Sequence, residues 1–349
     1  MSGVQQITVS DDDAGQRLDR WFRRLFPQIT QGRIEKMCRK GEIRVDGGRV
    51  KSATRLEPGQ IVRVPPLPTV DAAKAATPPV KKISAADEAL IQQAVIWKDD
   101  HIIALNKPPG LPTQGGSKQT RHVDGLADAL RFGKDEKPRL VHRLDKDTSG
   151  VLLLARTRAA AQALTAAIRH KATRKIYWSV VAGVPHPFLG EIKTGLVKAP
   201  GHGSHGEGEK MQLVHPGEIE STPGAKRALT HYATLYRVGS RASWVAMEPI
   251  TGRTHQLRAH MAGIGHPIIG DGKYGGSGQE NLGDGWGAKL GGIISNKLHL
   301  HARSMSFEHP VTRKPITITA PLPEHMARTF ETFGWTEDLA ADDPFEELQ

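Results

Sequence analysis

The run His142-Arg143-Leu144-Asp145-Lys146-Asp147-Thr148-Ser149-Gly150 sets two carboxylates among basic side chains, directly before the apolar stretch Val151-Leu152-Leu153-Leu154-Ala155. A charged loop on the edge of a buried-type strand is a rigid mount for a single catalytic carboxylate. An aspartate there can act as nucleophile or base, and neighbouring cations favour the ionised form that either role requires. Taken alone, the run reads more simply as a salt-bridged turn entering a core strand. Other segments have to decide between the two.

Two distant segments carry further chemistry. Lys175-Ile176-Tyr177-Trp178-Ser179-Val180-Val181 has strand character, and its period of two puts Lys175 and Tyr177 on one face. A tyrosine beside a basic group can stack a nucleobase and anchor a phosphate, although a core tyrosine is the plainer alternative. Thr251-Gly252-Arg253-Thr254-His255-Gln256-Leu257-Arg258-Ala259-His260-Met261 predicts a loop and then a helix from near Thr254 to Gly263 or Gly265. Arg258 lies one turn on from Thr254 and His255, giving a basic face that either meets a catalytic carboxylate or is solvated.

Competing motifs carry less. Gly201-x-Gly203-x-x-Gly206 and Gly270-x-Gly272-x-x-Gly275 match the dinucleotide pattern, but neither precedes a helix-forming stretch. No phosphate-loop motif is present. Asp145-Lys146-Asp147-Thr148 approaches the Asp-x-Asp of magnesium-dependent phosphatases, whose nucleophile follows its buried strand rather than preceding it. His299-Leu300-His301 lacks a third ligand at suggestive spacing, so no metal site is expected.

The elements that must position these residues fall into a small basic unit and a larger body. The chain has 349 residues, 38% hydrophobic, with a formal charge of +11, so a polyanionic partner is expected. From Ala14 to Pro66 there are 13 Lys and Arg against 5 Asp and Glu, a net +8 of that +11. Leu18, Trp21, Phe22 and Leu25 recur at helical spacing in Arg17–Phe26, and Pro27 ends that helix. A second helix over Arg33–Lys40 stops at Gly41, and Gly32 disfavours helix entry at Gln31-Gly32. Ile43-Arg44-Val45 and Arg49-Val50 flank a hairpin turn at Asp46-Gly47-Gly48, and Ile61–Val64 forms a last strand. Residues 67–88, rich in Pro and Ala, predict a linker.

The body, residues 89–330, predicts strands at Val95–Trp97, Ile102–Leu105, Val151–Ala155, Lys175–Val181, Trp244–Pro249 and Ile316–Ala320. An alanine-rich helix capped by Thr157 runs to about His170. Residues 201–224 predict a mobile insertion, and residues 331–349 an acidic tail, disordered from Glu337 onward. Cys38 is the only cysteine, no apolar run is long enough to span a bilayer, and Met1–Gln5 lacks the features of a secretory leader. A cytoplasmic monomer without membrane attachment is expected.

The basic unit resembles the small RNA-binding module shared by a small-subunit ribosomal protein and tyrosyl-tRNA synthetases. The matching residues are Arg17-Leu18-Asp19, Gly41-Glu42-Ile43-Arg44-Val45-Asp46-Gly47 and Leu56-Glu57-Pro58-Gly59-Gln60. Arg17, Arg20, Arg33, Lys36, Arg39, Lys40 and Arg44 are its candidate RNA contacts. In the body, His142–Gly150, Lys175-Ile176-Tyr177 and Gly252–His260, in that order, resemble the RluA-type family of RNA pseudouridine synthases. Asn106-Lys107-Pro108-Pro109-Gly110, Gly270-Asp271-Gly272-Lys273-Tyr274-Gly275 and Leu300-His301-Ala302 fit as well.

That resemblance implies an α+β pseudouridine synthase fold with a mostly antiparallel mixed sheet and a central RNA cleft, plus the small α/β module. It implies Asp145 as the catalytic carboxylate, Tyr177 stacked on the target base and Arg258 paired with Asp145. Arg143 would enter the space left by a flipped nucleotide and Leu257 would wall the pocket, with Lys175 beside the substrate. The implied reaction is cofactor-free isomerisation of uridine in structured RNA. Large-subunit ribosomal RNA is the preferred substrate and transfer RNA the competitor. A catalytically dead RNA-binding assembly factor and a metal-dependent phosphohydrolase are the alternatives from other classes.

Overall fold

The computed structural model describes residues 3–10, 13, 15–67, 83–115, 121–199, 210–275, 294–340 and 343–348. The chain divides into two compact units, Met1–Lys82 and Ile83–Gln349.

In the first unit, α1 (Leu18–Leu25) and α2 (Gln31–Lys40) pack on a four-stranded antiparallel sheet. Its strands are β1 (Gln5–Thr8), β2 (Arg44–Val45), β3 (Gly48–Arg49) and β4 (Ile61–Val64), in the order β1-β4-β2-β3. Leu18, Trp21, Phe22, Ile34, Met37, Ile43 and Val62 form the buried core, so the apolar faces read from helical periodicity pack except at Leu25, which is exposed at the end of α1. Strand β1 lies outside the elements predicted from sequence. Helix α2 starts at Gln31 despite Gly32, and it ends at Gly41 in the left-handed conformation, φ 72°. The hairpin turns at Asp46 and Gly47, both at positive φ, as a tight two-residue connection requires.

The second unit is built on one eleven-stranded sheet. Its strands are β5 (Val95–Lys98), β6 (Ile102–Lys107), β7 (Arg139–Leu140), β8 (Ser149–Ala155), β9 (Thr173–Ala182) and β10 (Leu189–Lys198). They continue as β11 (Met211–Val214), β12 (Lys226–Val238), β13 (Ala242–Pro249), β14 (Leu300–Glu308) and β15 (Pro315–Thr319). The order is β11-β10-β12-β13-β9-β14-β8-β6-β5, with β15 on β14 and β7 on β8. All pairings are antiparallel except β14 with β8, where His301 faces Ser149 and Ala302 faces Gly150. Among the described residues the unit also has the α-helices α3 (Ala85–Gln93), α4 (Val123–Leu126), α5 (Arg158–Arg169), α6 (Gln256–Gly263) and α7 (Glu324–Phe333).

Every residue of β8 is buried. Leu152 and Leu154 join one apolar cluster while Val151, Leu153 and Ala155 join another, so the strand is covered on both faces. The parallel pair demands Gly150. A Cβ there would lie 2.2 Å from the Ala302 carbonyl oxygen, and the backbone sits at φ +107°. The chain leaving the charged loop is therefore threaded tightly against β14.

Three sequence-based expectations need correction. Helix α3 begins at Ala85, inside the stretch expected as linker, with Ser84 Oγ accepting the Asp87 N–H as its cap; residues 68–82 of that stretch lie outside the described residues. Within the expected insertion, Met211–Val214 forms β11, antiparallel to β10, because its register completes an exposed sheet edge. Residues 201–209 lie outside the described residues. The acidic tail is packed rather than loose: Phe345 is fully buried in a cluster with Trp244, Phe330 and Trp335, and Asp343 pairs with Arg174 at 2.6 Å. One aromatic anchor and one buried-edge ion pair outweigh the acidic composition.

Candidate active site

The loop from His142 to Thr148 is held by three contacts at alternate residues. His142 Nε2 accepts the Leu153 N–H at 3.0 Å. Thr113 Oγ1 donates to the Leu144 carbonyl at 2.7 Å and accepts the Leu144 N–H at 3.2 Å. The Lys146 carbonyl accepts from Lys107 Nζ at 2.9 Å and from the Gly110 N–H at 3.0 Å. With even-numbered residues fixed to the body, Arg143, Asp145 and Asp147 are left on the free side of the loop. Burial, and then the charge of Lys175, push His142 down to about 3, so it stays a neutral acceptor.

Lys107 is the least expected part of this mount. It is fully buried, and its Nζ donates to the carbonyls of Pro108, Leu111 and Lys146, each at 2.9 Å. Burial pushes the group down to about 7 against the opposing pull of Asp147 and Asp145. In the sequence Lys107 stands only as part of Asn106-Lys107-Pro108-Pro109-Gly110, which gave its side chain no role.

Asp145 opens into a cavity of about 570 Å³, of a size suited to one nucleotide. Arg143, Lys175, Tyr177, His255, Leu257, Arg258 and Leu300 line it. These residues come from the loop before β8, from β9, from α6 and the residue before it, and from β14, so the site sits over the middle strands of the sheet. Lys175 and Tyr177 share a face of β9 as the period of two requires. Burial lowers the Lys175 ammonium, and burial with the Asp145 charge raises the Tyr177 hydroxyl. Leu257 is buried in the cluster against which Tyr177 packs. Arg143 is exposed at the rim.

Arg258 does not spend its fork on Asp145. Its Nε and Nη2 each bond Asp271 at 2.7 Å, while Nη1 stands 3.7 Å from Asp145 Oδ2. Burial works to raise the Asp271 carboxyl, but the Arg258 hydrogen bonds and charge hold it below the usual carboxylate range. Asp271 Oδ1 also accepts the Lys273 and Tyr274 N–H groups at 3.0 and 3.2 Å, closing a tight turn behind the arginine. The guanidinium lies 5.2 Å from the Tyr274 ring centroid. Asp271 and Tyr274 were visible in sequence only as members of a glycine-rich turn; their tie to Arg258 needed the fold.

The remaining candidates separate cleanly. Asp147 is exposed and borders a different cavity with Lys273 and Asn296, so the two carboxylates of the loop do not converge as a phosphohydrolase would need. His299 bonds the Lys297 carbonyl and Thr329, and His301 bonds Ser149 and the Ala320 carbonyl, so both rings use both nitrogens inside the protein. In the first unit, Arg20, Arg33, Lys36, Arg39, Lys40 and Arg44 are exposed, with Arg33, Lys36 and Lys40 on the side of α2 opposite its buried Ile34, Met37 and Cys38. Arg17 is partly committed, bonding Asp19 at 2.6 Å.

Comparisons with known proteins identify the family. A family model described as RNA pseudouridylate synthase matches residues 101–263, and one described as S4 domain matches residues 16–62. Ribosomal large subunit pseudouridine synthase C of Vibrio vulnificus is 34% identical over 331 residues, covering 94% of this chain and 96% of that protein. The protein of the same name from Escherichia coli K12 is 33% identical over 333 residues, covering 94% and 96%. Among solved structures, human RNA pseudouridylate synthase domain containing 4 matches with a TM-score of 0.57 and 27% identity, over 71% of this chain and 97% of that one.

Proposed function

Since the chain belongs to the RNA pseudouridylate synthase family, we propose that it isomerises uridine in large-subunit ribosomal RNA with Asp145 as the catalytic carboxylate. The observation that carries this reading is the setting of Asp145: a carboxylate on a clamped loop, facing a nucleotide-sized cavity, with Arg258 3.7 Å away and Tyr177 on the wall.

The reaction breaks the bond from ribose to N1 of the base, turns the base, and rejoins it through carbon 5. A proton leaves carbon 5 and N1 ends protonated, so atoms balance without oxidant or reductant. Attack on the anomeric carbon, addition to the base and removal of the adjacent sugar proton all start from an ionised carboxylate. Arg258 brings a cation to 3.7 Å from that carboxylate. The target base is stacked in folded RNA, and extruding it costs a few kcal/mol. Tyr177 supplies a replacement stacking surface, Leu257 an apolar wall, and Arg143 at the rim a cation to enter the vacated stack. Lys175 is placed to meet a phosphate or a base edge. The exposed cations of the first unit, Arg20, Arg33, Lys36, Arg39, Lys40 and Arg44 together with Arg17, supply sequence-independent affinity for the RNA backbone.

The test is an Asp145→Asn variant assayed on unmodified ribosomal and transfer RNA. Loss of pseudouridine formation with RNA affinity unchanged supports the reading; normal turnover by the variant refutes it. Modification of transfer RNA but not ribosomal RNA by the parent would move the substrate to the other class.

A further inference from the structure

A second donor aims at the same oxygen of Asp145 as Arg258 does. His255 Nε2 lies 3.8 Å from Asp145 Oδ2, the atom that Arg258 Nη1 approaches at 3.7 Å. Asp145 lines the cavity. The ring is placed by features that helix formation does not explain. His255 stands just before α6 in the left-handed conformation, φ 51°, and its side chain makes no capping hydrogen bond. A non-glycine residue held there is a small reservoir of strain of the kind that marks functional positions.

The turn beneath it is rigid. Gln256 Oε1 accepts from Thr251 Oγ1 at 2.7 Å and from the Arg253 N–H at 3.1 Å, while its Nε2 donates to the Leu229 carbonyl and to Thr230 Oγ1 at 2.9 Å. The far side of the ring is fixed as well. Tyr274 Oη accepts the Met211 N–H at 2.8 Å and lies 3.0 Å from His255 Nδ1. With one lone pair used by Met211, the Tyr274 hydroxyl can donate its proton to Nδ1, the tautomer that leaves the imidazole proton on Nε2, facing Asp145.

We propose that His255, oriented by Tyr274, is a positioning residue that donates to Asp145 Oδ2 once a nucleotide closes the cavity, so that Oδ1 is the reacting oxygen. The residue acts through Asp145 and touches no reacting atom. Burial, ahead of the opposing Asp145 charge, lowers the imidazole, which keeps it a neutral single donor. The anchoring Met211 belongs to β11, so the segment at 211–214 takes part in setting the site's geometry.

The inference rests on Asp145 being the catalytic carboxylate, and the experiment separates the two. Single-turnover pseudouridine formation and RNA dissociation constants are measured on the full chain for the parent, Asp145→Asn, His255→Leu, His255→Gln, Tyr274→Phe and the Leu/Phe double variant. Loss of a charge-assisted donor predicts a rate about 10- to 100-fold lower for His255→Leu, with RNA affinity unchanged. His255→Gln, which returns an N–H near the place of Nε2, regains most of that rate. Tyr274→Phe slows the parent but adds little to His255→Leu, because both act on one contact. A folded His255→Leu with parental rate, a Gln variant as slow as Leu, or fully multiplicative losses in the double variant would each overturn the proposal. Should His255→Leu fail to fold, the Gln and Phe variants still decide it. Activity persisting in Asp145→Asn sinks the catalytic reading itself, whatever His255 does.

Discussion

Replacing Lys107 with methionine keeps the buried stem and deletes the ammonium that gathers three carbonyls. The Lys146 carbonyl retains the Gly110 N–H, but those of Pro108 and Leu111 lose their Lys107 donor. Each carbonyl left unsatisfied in the interior costs about 1–3 kcal/mol, so the bonds lost amount to about 2–6 kcal/mol. Burying the cation opposes this, and pH separates the two effects. Lysine titrates near 10.5 in the unfolded chain and at about 7 in the folded one. Between those values the unfolded state holds a proton that the folded state lacks, so this group's contribution to stability rises with pH. From pH 7 to pH 9 the gain is about 2–3 kcal/mol in the parent and nil in Lys107→Met. Urea unfolding of both proteins at pH 6, 7.5 and 9, read on the transition of the second unit, should show a gap that widens with pH. Groups common to both cancel in the difference. The loosened Lys146 carbonyl should also lower turnover about 10- to 100-fold, since a displacement near 1 Å is enough. A gap that stays flat from pH 6 to 9, or parental turnover in the variant, would refute the reasoning.

Other consequences can be checked in the same way. Gly150→Ala forces a Cβ to 2.2 Å from the Ala302 carbonyl oxygen, so the parallel pair must open; a loss of about 4 kcal/mol or more, or failure to fold, is expected from chemical denaturation. Asp271→Asn leaves Arg258 buried without its carboxylate, which should cost about 3–5 kcal/mol and lower turnover while leaving RNA affinity intact. Burial pushes His299 and His301 down to about 4 from 6.5, so their share of stability is lost as pH falls from 6.5 towards 4. At pH 5 each is expected to cost about 2 kcal/mol, and His301→Gln should flatten the acid limb of stability by about one proton. Removing residues 1–66 deletes the exposed cations of the first unit; RNA binding should weaken, with a shallower dependence on salt, and equal slopes would contradict the assignment of that surface.

Legibility followed the range of the interactions. The helices of the first unit, the strand β8 and the shared face of Lys175 and Tyr177 are periodic features, and periodicity is local. Asp145, Tyr177 and Arg258 were found through their surrounding motifs. Their assembly over β8, β9 and α6 could not be read from one segment, because the pairing of β14 with β8 joins residues about 150 positions apart. Lys107, Asp271 and Tyr274 stayed without roles for the same reason: each acts through a partner set only by the fold. The tail was misread because its composition is acidic, while its placement depends on Phe345 entering an aromatic cluster built from other elements.

The charges around Asp145 explain why its arginine is committed elsewhere. Were the Arg258 fork closed on Asp145 at 2.7 Å, both carboxylate oxygens would be tied and neither could meet a substrate. Instead Asp271 takes the fork, balances the buried guanidinium and fixes its plane, leaving Nη1 to approach one oxygen at 3.7 Å. At that separation the two charges face each other as an ion pair across a partly exposed gap. The distance is still too long for a hydrogen bond that the substrate would have to break. Asp271 thus fixes where Arg258 stands beside Asp145, on a loop clamped at His142, Leu144 and Lys146.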